Sequence, residues 1–210
     1  MELDSDAILW SAPEGERAGR PLLVLLHGYG SHERDLLGLR PRLPEELVLA
    51  ALRAPLPAPP GFSWFPVGGE RPLDRADDAR AAADLVAEWI REHAAAASST
   101  GVLGFSQGAM LSLLILRRHP GLLDYAVALS GGILPGDEPG DAELRAIRPP
   151  VFFGYGLWDD VVPSEMFART ADWLPGFTAD TQFEYPGLTH AVSEQELADI
   201  TAFLRDRLAP

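Results

Sequence analysis

The 210-residue chain contains no cysteine, no lysine and no asparagine. The first absence removes disulfides, a thiol nucleophile and thiolate metal sites, and it leaves the redox compartment unmarked. The second removes Schiff-base chemistry, a phosphate-binding P-loop and a Ser–Lys dyad. The third removes any acceptor for N-glycosylation. Positive charge is also scarce. All 17 basic side chains are arginine, and they face 31 acidic ones for a formal charge of −14. That balance disfavours nucleic acid and anionic membrane surfaces, both of which reward basic patches. No apolar run reaches the ~20 residues of a membrane span. The acidic start Met1-Glu2-Leu3-Asp4-Ser5-Asp6 lacks the basic and apolar regions of a signal peptide. The expectation is a cytoplasmic protein with no nucleic-acid partner and no membrane insertion.

What is present reads as an ordinary globular chain, 47% hydrophobic and 23% charged, with length enough for a substantial core. Residues 1–210 are expected to form a single domain, since neither a repeat nor a second compositional block interrupts them. Short apolar runs of strand length recur at Ala7–Ser11, Pro21–Leu26, Leu47–Leu52, Gly101–Phe105, Tyr125–Leu129, Val151–Tyr155 and Thr181–Tyr185. Helical patterns separate the later ones. Asp77–Ala96 carries Ala83, Val86, Ala87 and Ile90 on one face, with Asp77 and Asp78 placed to complement its start. Further helices are expected after Ser106, over Pro163–Leu174 and over Ser193–Leu208, the last opened by a Ser193/Glu196 capping box. Continuous apolar strands alternating with helices predict an α/β fold, a mostly parallel sheet covered on both faces. The atypical connection is Arg53–Pro72, rich in Pro and Gly and bearing Phe62, Trp64 and Phe65. Loops of that length in compact domains are usually functional.

The chemistry centres on Gly104-Phe105-Ser106-Gln107-Gly108, set between an apolar strand and an apolar helix. A Gly-x-Ser-x-Gly at such a junction is a nucleophile elbow, which exposes the serine hydroxyl above the sheet. The fold that uses it orders its partners as serine, acid, histidine. Of the five histidines, only His190 lies beyond the last strands, so elimination selects it as the base. The acid should follow a strand after the elbow, where Asp159 and Asp160 stand side by side and position does not choose between them. An oxyanion hole needs two amides. One is the N–H of Gln107, directly after the nucleophile. The other falls in His27-Gly28-Tyr29-Gly30, where Tyr29 N–H is the candidate. Leu56, Phe62, Trp64 and Phe65 are candidates for an apolar substrate wall.

These stretches together resemble the phospholipase/carboxylesterase family of small α/β-hydrolases, which includes the acyl-protein thioesterases. The resemblance rests on Leu26-His27-Gly28-Tyr29-Gly30 with Glu33, Asp35, Leu36 and Leu37, and on Arg53-Ala54-Pro55 followed by Gly61 and Trp64. It continues through Gly104-Phe105-Ser106-Gln107-Gly108-Ala109, Leu129-Ser130-Gly131, Gly156 with Asp159 and Val162-Pro163, and Gly187 with His190. The stretch around Glu33 and Asp35 is similar to the bacterial esterase branch. The resemblance implies an α/β-hydrolase fold without a separate lid domain, and it selects Asp159, four residues before Pro163, as the acid. It also implies Tyr29 and Gln107 amides at the oxyanion and a cofactor-free, metal-free serine carboxylesterase acting on small-molecule esters with short or accessible acyl chains. Thioester or lysophospholipid hydrolysis is the neighbouring alternative, a catalytically silent binding protein a further one, and the resemblance implies a homodimer. Two departures fall in substrate-loop positions: Pro66 stands where Asp often follows the Trp-aromatic pair, and His32 where many bacterial members carry Asp.

Overall fold

The computed structural model describes residues 1–67 and 72–208. The expected loop from Arg53 to Pro72 is therefore seen except for residues 68–71, which lie outside the described residues. In chain order the elements are β1 (Leu9–Trp10), β2 (Leu22–Leu26), α1 (Arg34–Leu37), β3 (Val48–Leu52), β4 (Leu56–Ala58), β5 (Gly61–Ser63) and α2 (Pro72–His93). They continue as β6 (Thr100–Phe105), α3 (Gln107–Arg118), β7 (Tyr125–Leu129), α4 (Asp141–Ile147), β8 (Pro150–Gly156), α5 (Ser164–Trp173), β9 (Ala179–Tyr185) and α6 (Glu194–Leu208). Seven strands pair in the order β1-β3-β2-β6-β7-β8-β9. β1 runs antiparallel to β3, and every other neighbour in that sheet is parallel.

A strand covered on both faces has no polar side to present, which is why β2 reads Leu-Leu-Val-Leu-Leu and all five residues are buried. Its alternation still sorts them. Leu22, Val24 and Leu26 join the core beneath α2 and α3, whereas Leu23 and Leu25 join the core beneath α1 and α6. α2 turns Ala79, Ala82, Ala83, Val86, Ala87 and Ile90 inward, all fully buried, at the three- and four-residue spacing of one helical face. It begins earlier than the sequence pattern predicts, so Asp77 and Asp78 sit in its second turn rather than at its start. The segment expected to be a plain loop contains a small hairpin, β4–β5, registered Leu56 to Ser63. Its prolines disguise it, because Pro57 and the Pro59-Pro60 turn are permitted only where a strand lacks a second neighbour.

Parallel strands end at one edge of the sheet. The loops after Leu26, Phe105, Gly156 and Tyr185 are thereby delivered side by side, where ligands bind in open α/β sheets. Leu26 pairs with Gly104 and Gly156 with Tyr185, which brings His27 beside Ser106 and the Asp159 loop beside the His190 loop.

Candidate active site

Ser106 occupies the break between β6 and α3 with φ 55° and ψ −114°. Such a backbone costs on the order of 1–3 kcal/mol for a residue with a side chain. It is held from three directions: Ser106 N–H donates to Leu129 O at 2.8 Å, and Ser106 O accepts from Ala109 and Met110 amides at 3.0 and 3.1 Å. The flanking glycines are required by space. A Cβ at Gly104 would collide with the carbonyl of Gly108, and one at Gly108 with the carbonyl of Leu26. Helix, turn and neighbouring strand thus meet in backbone-to-backbone contact, and Ser106 is left at the surface of that junction, 9% exposed.

The loops after β8 and β9 lace into each other before reaching the serine. Leu157 N–H donates to Tyr185 O at 3.1 Å and Trp158 N–H to Leu188 O at 3.0 Å. Asp159 places its whole side chain out of solvent. Its Oδ1 accepts the amides of Val161 and Val162, each at 3.0 Å, and its Oδ2 lies 2.7 Å from His190 Nδ1. A carboxylate only accepts, so the imidazole proton resides on Nδ1 and Nε2 is free to accept. That Nε2 lies 3.0 Å from Ser106 Oγ. Asp160 is exposed, and among the described residues its carboxylate has no hydrogen bond. The pair that sequence position could not separate is separated by direction: one side chain turns to His190, the other to solvent.

On the other side of Ser106 lie Tyr29 and Gln107. Neither backbone N–H has an acceptor among the described residues, and both residues line the same cavity as Ser106. Gln107 opens α3, so the helix dipole adds to the pull of its amide on negative charge. Two ties fix the surrounding loops. Glu33, 4% exposed, pairs in a fork with Arg53 at 2.8 Å on both oxygens, and this guanidinium contact holds its carboxyl down at about pKa 2. His27 is buried, with Nδ1 2.8 Å from Gly28 O and Nε2 accepting the Ala54 amide at 3.1 Å. Burial pushes its pKa below the usual histidine value, against the raising effect of the Gly28 carbonyl.

The cavity at Ser106 measures about 560 Å³, within the range of small-molecule sites. Phe65, Met110, Leu134, Val161 and Met166 form much of its wall, and no charged side chain lines it among the described residues. Of the four residues expected from sequence as substrate wall, only Phe65 stands there. Leu56 is taken up by the β4–β5 hairpin. Phe62, also in that hairpin, packs under Arg53, whose Cζ sits 4.7 Å from its ring centre. Trp64 is fully buried, and its indole N–H donates to His27 O at 2.8 Å. An aromatic on a Pro/Gly loop can face a ligand or anchor the loop, and here the hydrogen bond available to an indole favoured anchoring. Met110, Leu134 and Met166 escape sequence reading because nothing in an apolar α3, a loop or α5 distinguishes a residue facing a cavity from one facing the core.

A mostly parallel sheet, a serine on a strained strand–helix turn and a histidine after the last strand define an α/β-hydrolase. A family model described as Phospholipase/Carboxylesterase matches residues 12–208, and the chain belongs to that family. The crystal structure of esterase PE8 superposes with a TM-score of 0.79 at 31% identity, covering 98% of this chain and 99% of that one. A carboxylesterase from Mesorhizobium loti gives the same TM-score at 21% identity, over 97% of each chain. Acyl-protein thioesterase 1 of Debaryomyces hansenii is 34% identical over 134 residues, 59% of this chain and 55% of its own. The match thus spans about half the length of that relative. No helix among the described residues is long and apolar enough to cross a membrane.

Proposed function

We propose that the chain, acting as a single catalytic domain, hydrolyses carboxylic esters through an acyl-enzyme on Ser106. The observation that carries this reading is the hydrogen-bonded series Asp159–His190–Ser106, opening on an apolar cavity beside two amides without an acceptor among the described residues. His190 Nε2 takes the Ser106 proton as Oγ attacks the ester carbonyl, and Asp159 stabilises the imidazolium without accepting its proton. The Tyr29 and Gln107 amides receive the charge that develops on the carbonyl oxygen. His190 then protonates the departing alcohol. Water, deprotonated by the same nitrogen, releases the acid.

The leaving group must depart toward its proton donor, and His190 does not line the cavity. The cavity is therefore assigned to the acyl group and the solvent side to the alcohol. Among the described residues the wall carries no charge, which favours uncharged aliphatic or aromatic acyl groups. The net charge of −14 works in the same direction, against anionic substrates. Relatives named acyl-protein thioesterase support thioesters as a second substrate class, since the same wall would take the same acyl chain. A series of p-nitrophenyl esters from acetate to palmitate, with matched thioesters, tests both. The expected result is a kcat/KM that climbs with chain length by up to about fourfold per methylene, the transfer energy of one CH₂, and then falls once the cavity is full. Hydrolysis indifferent to acyl length, or no hydrolysis at all, would count against the assignment.

A further inference from the structure

Trp64 and His27 have no place in the reaction just described, yet both are buried and hydrogen-bonded, Trp64 to Gln107 and His27 to Gly28, the residue before Tyr29. Their rings lie 5.4 Å apart. The Ala54 amide donates to His27 Nε2, so that nitrogen carries no proton and the imidazole proton sits on Nδ1. His27 Nδ1–H therefore donates to Gly28 O, which also accepts the Ser31 amide at 3.2 Å. In a trans peptide the C=O and the following N–H lie in one plane and point in opposite directions. Fixing Gly28 O from one side fixes Tyr29 N–H toward the other.

Trp64 extends this hold to the second amide. Its indole N–H donates to His27 O, the carbonyl immediately before Gly28, at 2.8 Å. Its backbone N–H donates to Gln107 Oε1 at 2.9 Å, and Gln107 Nε2–H returns a bond to Phe65 O at 2.7 Å. One buried residue thus joins the segment carrying Tyr29 N–H to the residue carrying Gln107 N–H. The two loops come from strands that are neighbours in the sheet and already touch where Gly108 meets the Leu26 and His27 carbonyls; Trp64 adds a hydrogen-bonded tie between them.

We propose that His27 and Trp64 are positioning residues for the oxyanion hole: neutral His27 orients the Gly28–Tyr29 peptide, and Trp64 sets its distance from the Gln107 amide. The inference rests on the serine-esterase reading above. Its consequence is a loss expressed in the transition state, where the oxyanion exists, and little in substrate binding. Removing a donor outright costs about 10²–10³ in kcat, so misplacing one should cost less.

The test measures kcat and KM on p-nitrophenyl butyrate, with rates normalised to sites titrated by a fluorophosphonate, so that folded fraction does not enter. His27→Leu fills similar space without an N–H and should lower kcat about 10- to 100-fold with KM within about twofold. His27→Asn, whose side-chain amide can replace the bond to Gly28 O, should recover most of that loss. Trp64→Phe deletes one N–H and should lower kcat about tenfold. It should weaken a trifluoromethyl ketone, which binds as an oxyanionic hemiketal, by a similar factor. If His27→Leu fails to fold, Trp64→Phe carries the test. Unchanged kcat in Trp64→Phe, a loss confined to KM, or no recovery in His27→Asn relative to His27→Leu overturns the proposal. Ser106→Ala, run beside them, separates the two failures, because full activity in that variant would remove the serine reading itself.

Discussion

Two carboxylates close to His190 in sequence or space are equally hidden from solvent and differently treated. Asp159 accepts three hydrogen bonds, from the amides of Val161 and Val162 and from His190. Glu196, in the first turn of α6, is 0% exposed, and neither of its oxygens has a hydrogen-bond partner among the described residues. Burial drives its pKa up to about 7, the Asp199 charge pushes the same way, and the nearby Ser193 amide only partly opposes them. Its Oε1 lies so close to β8 that a Cβ on Gly154 would sit 2.5 Å from it. Hiding a carboxylate is thus not itself a sign of function. What distinguishes the acid proposed for the reaction is a set of donors that aims it, one of them a histidine that reaches Ser106.

The largest expected effect comes from breaking that aim. Asp159→Asn leaves the volume intact but presents an amide to His190 Nδ1, favouring the wrong tautomer. A fall in kcat of about 10³–10⁴ is expected on p-nitrophenyl esters, and activity within tenfold of the native protein would show that the donors around Asp159 serve only its loop. Glu196→Gln probes the opposite case. The folded pKa of about 7 lies above the unfolded value, so the unfolded chain ionises first. The penalty therefore starts near the unfolded pKa, grows as pH rises toward 7, and levels off at roughly 3 kcal/mol. Urea unfolding should find the variant more stable than the native chain at pH 8 by roughly 2–3 kcal/mol, and nearly equal at pH 4. Equal stability at pH 8 would erase the contrast with Asp159. The smallest effect belongs to Asp160→Asn, an exposed carboxylate without a partner among the described residues. Its kcat/KM is expected to stay within about twofold, as for a surface change.

Much of the frame was legible from residue order. Continuous apolar strands announced a two-faced sheet, Gly104 and Gly108 marked the elbow, and elimination among five histidines left His190. Side-chain direction was not legible. Asp159 and Asp160 are chemically identical neighbours, and only the turn after Gly156, closed by Asp159 N–H to Gly156 O at 3.2 Å, decides which one faces inward. Trp64 and Phe65 are adjacent aromatics with opposite fates for the same reason. Both stand on the bend that follows β5, and the sequence does not say which of the two the bend turns to the cavity. The Ser193/Glu196 pattern was half right: Ser193 Oγ accepts the Glu196 amide at 3.1 Å, but the glutamate side chain turns into the core instead of completing the box. The hairpin was concealed by its prolines.

All of this depends on Ser106 being the atom that is acylated. Incubating the native chain with a fluorophosphonate and locating the adduct by peptide mass spectrometry asks that directly. The expected result is a single adduct on Ser106, formed by folded protein, absent after denaturation and absent from Ser106→Ala. An adduct on another residue, or no adduct from a folded chain that still hydrolyses esters, would contradict it.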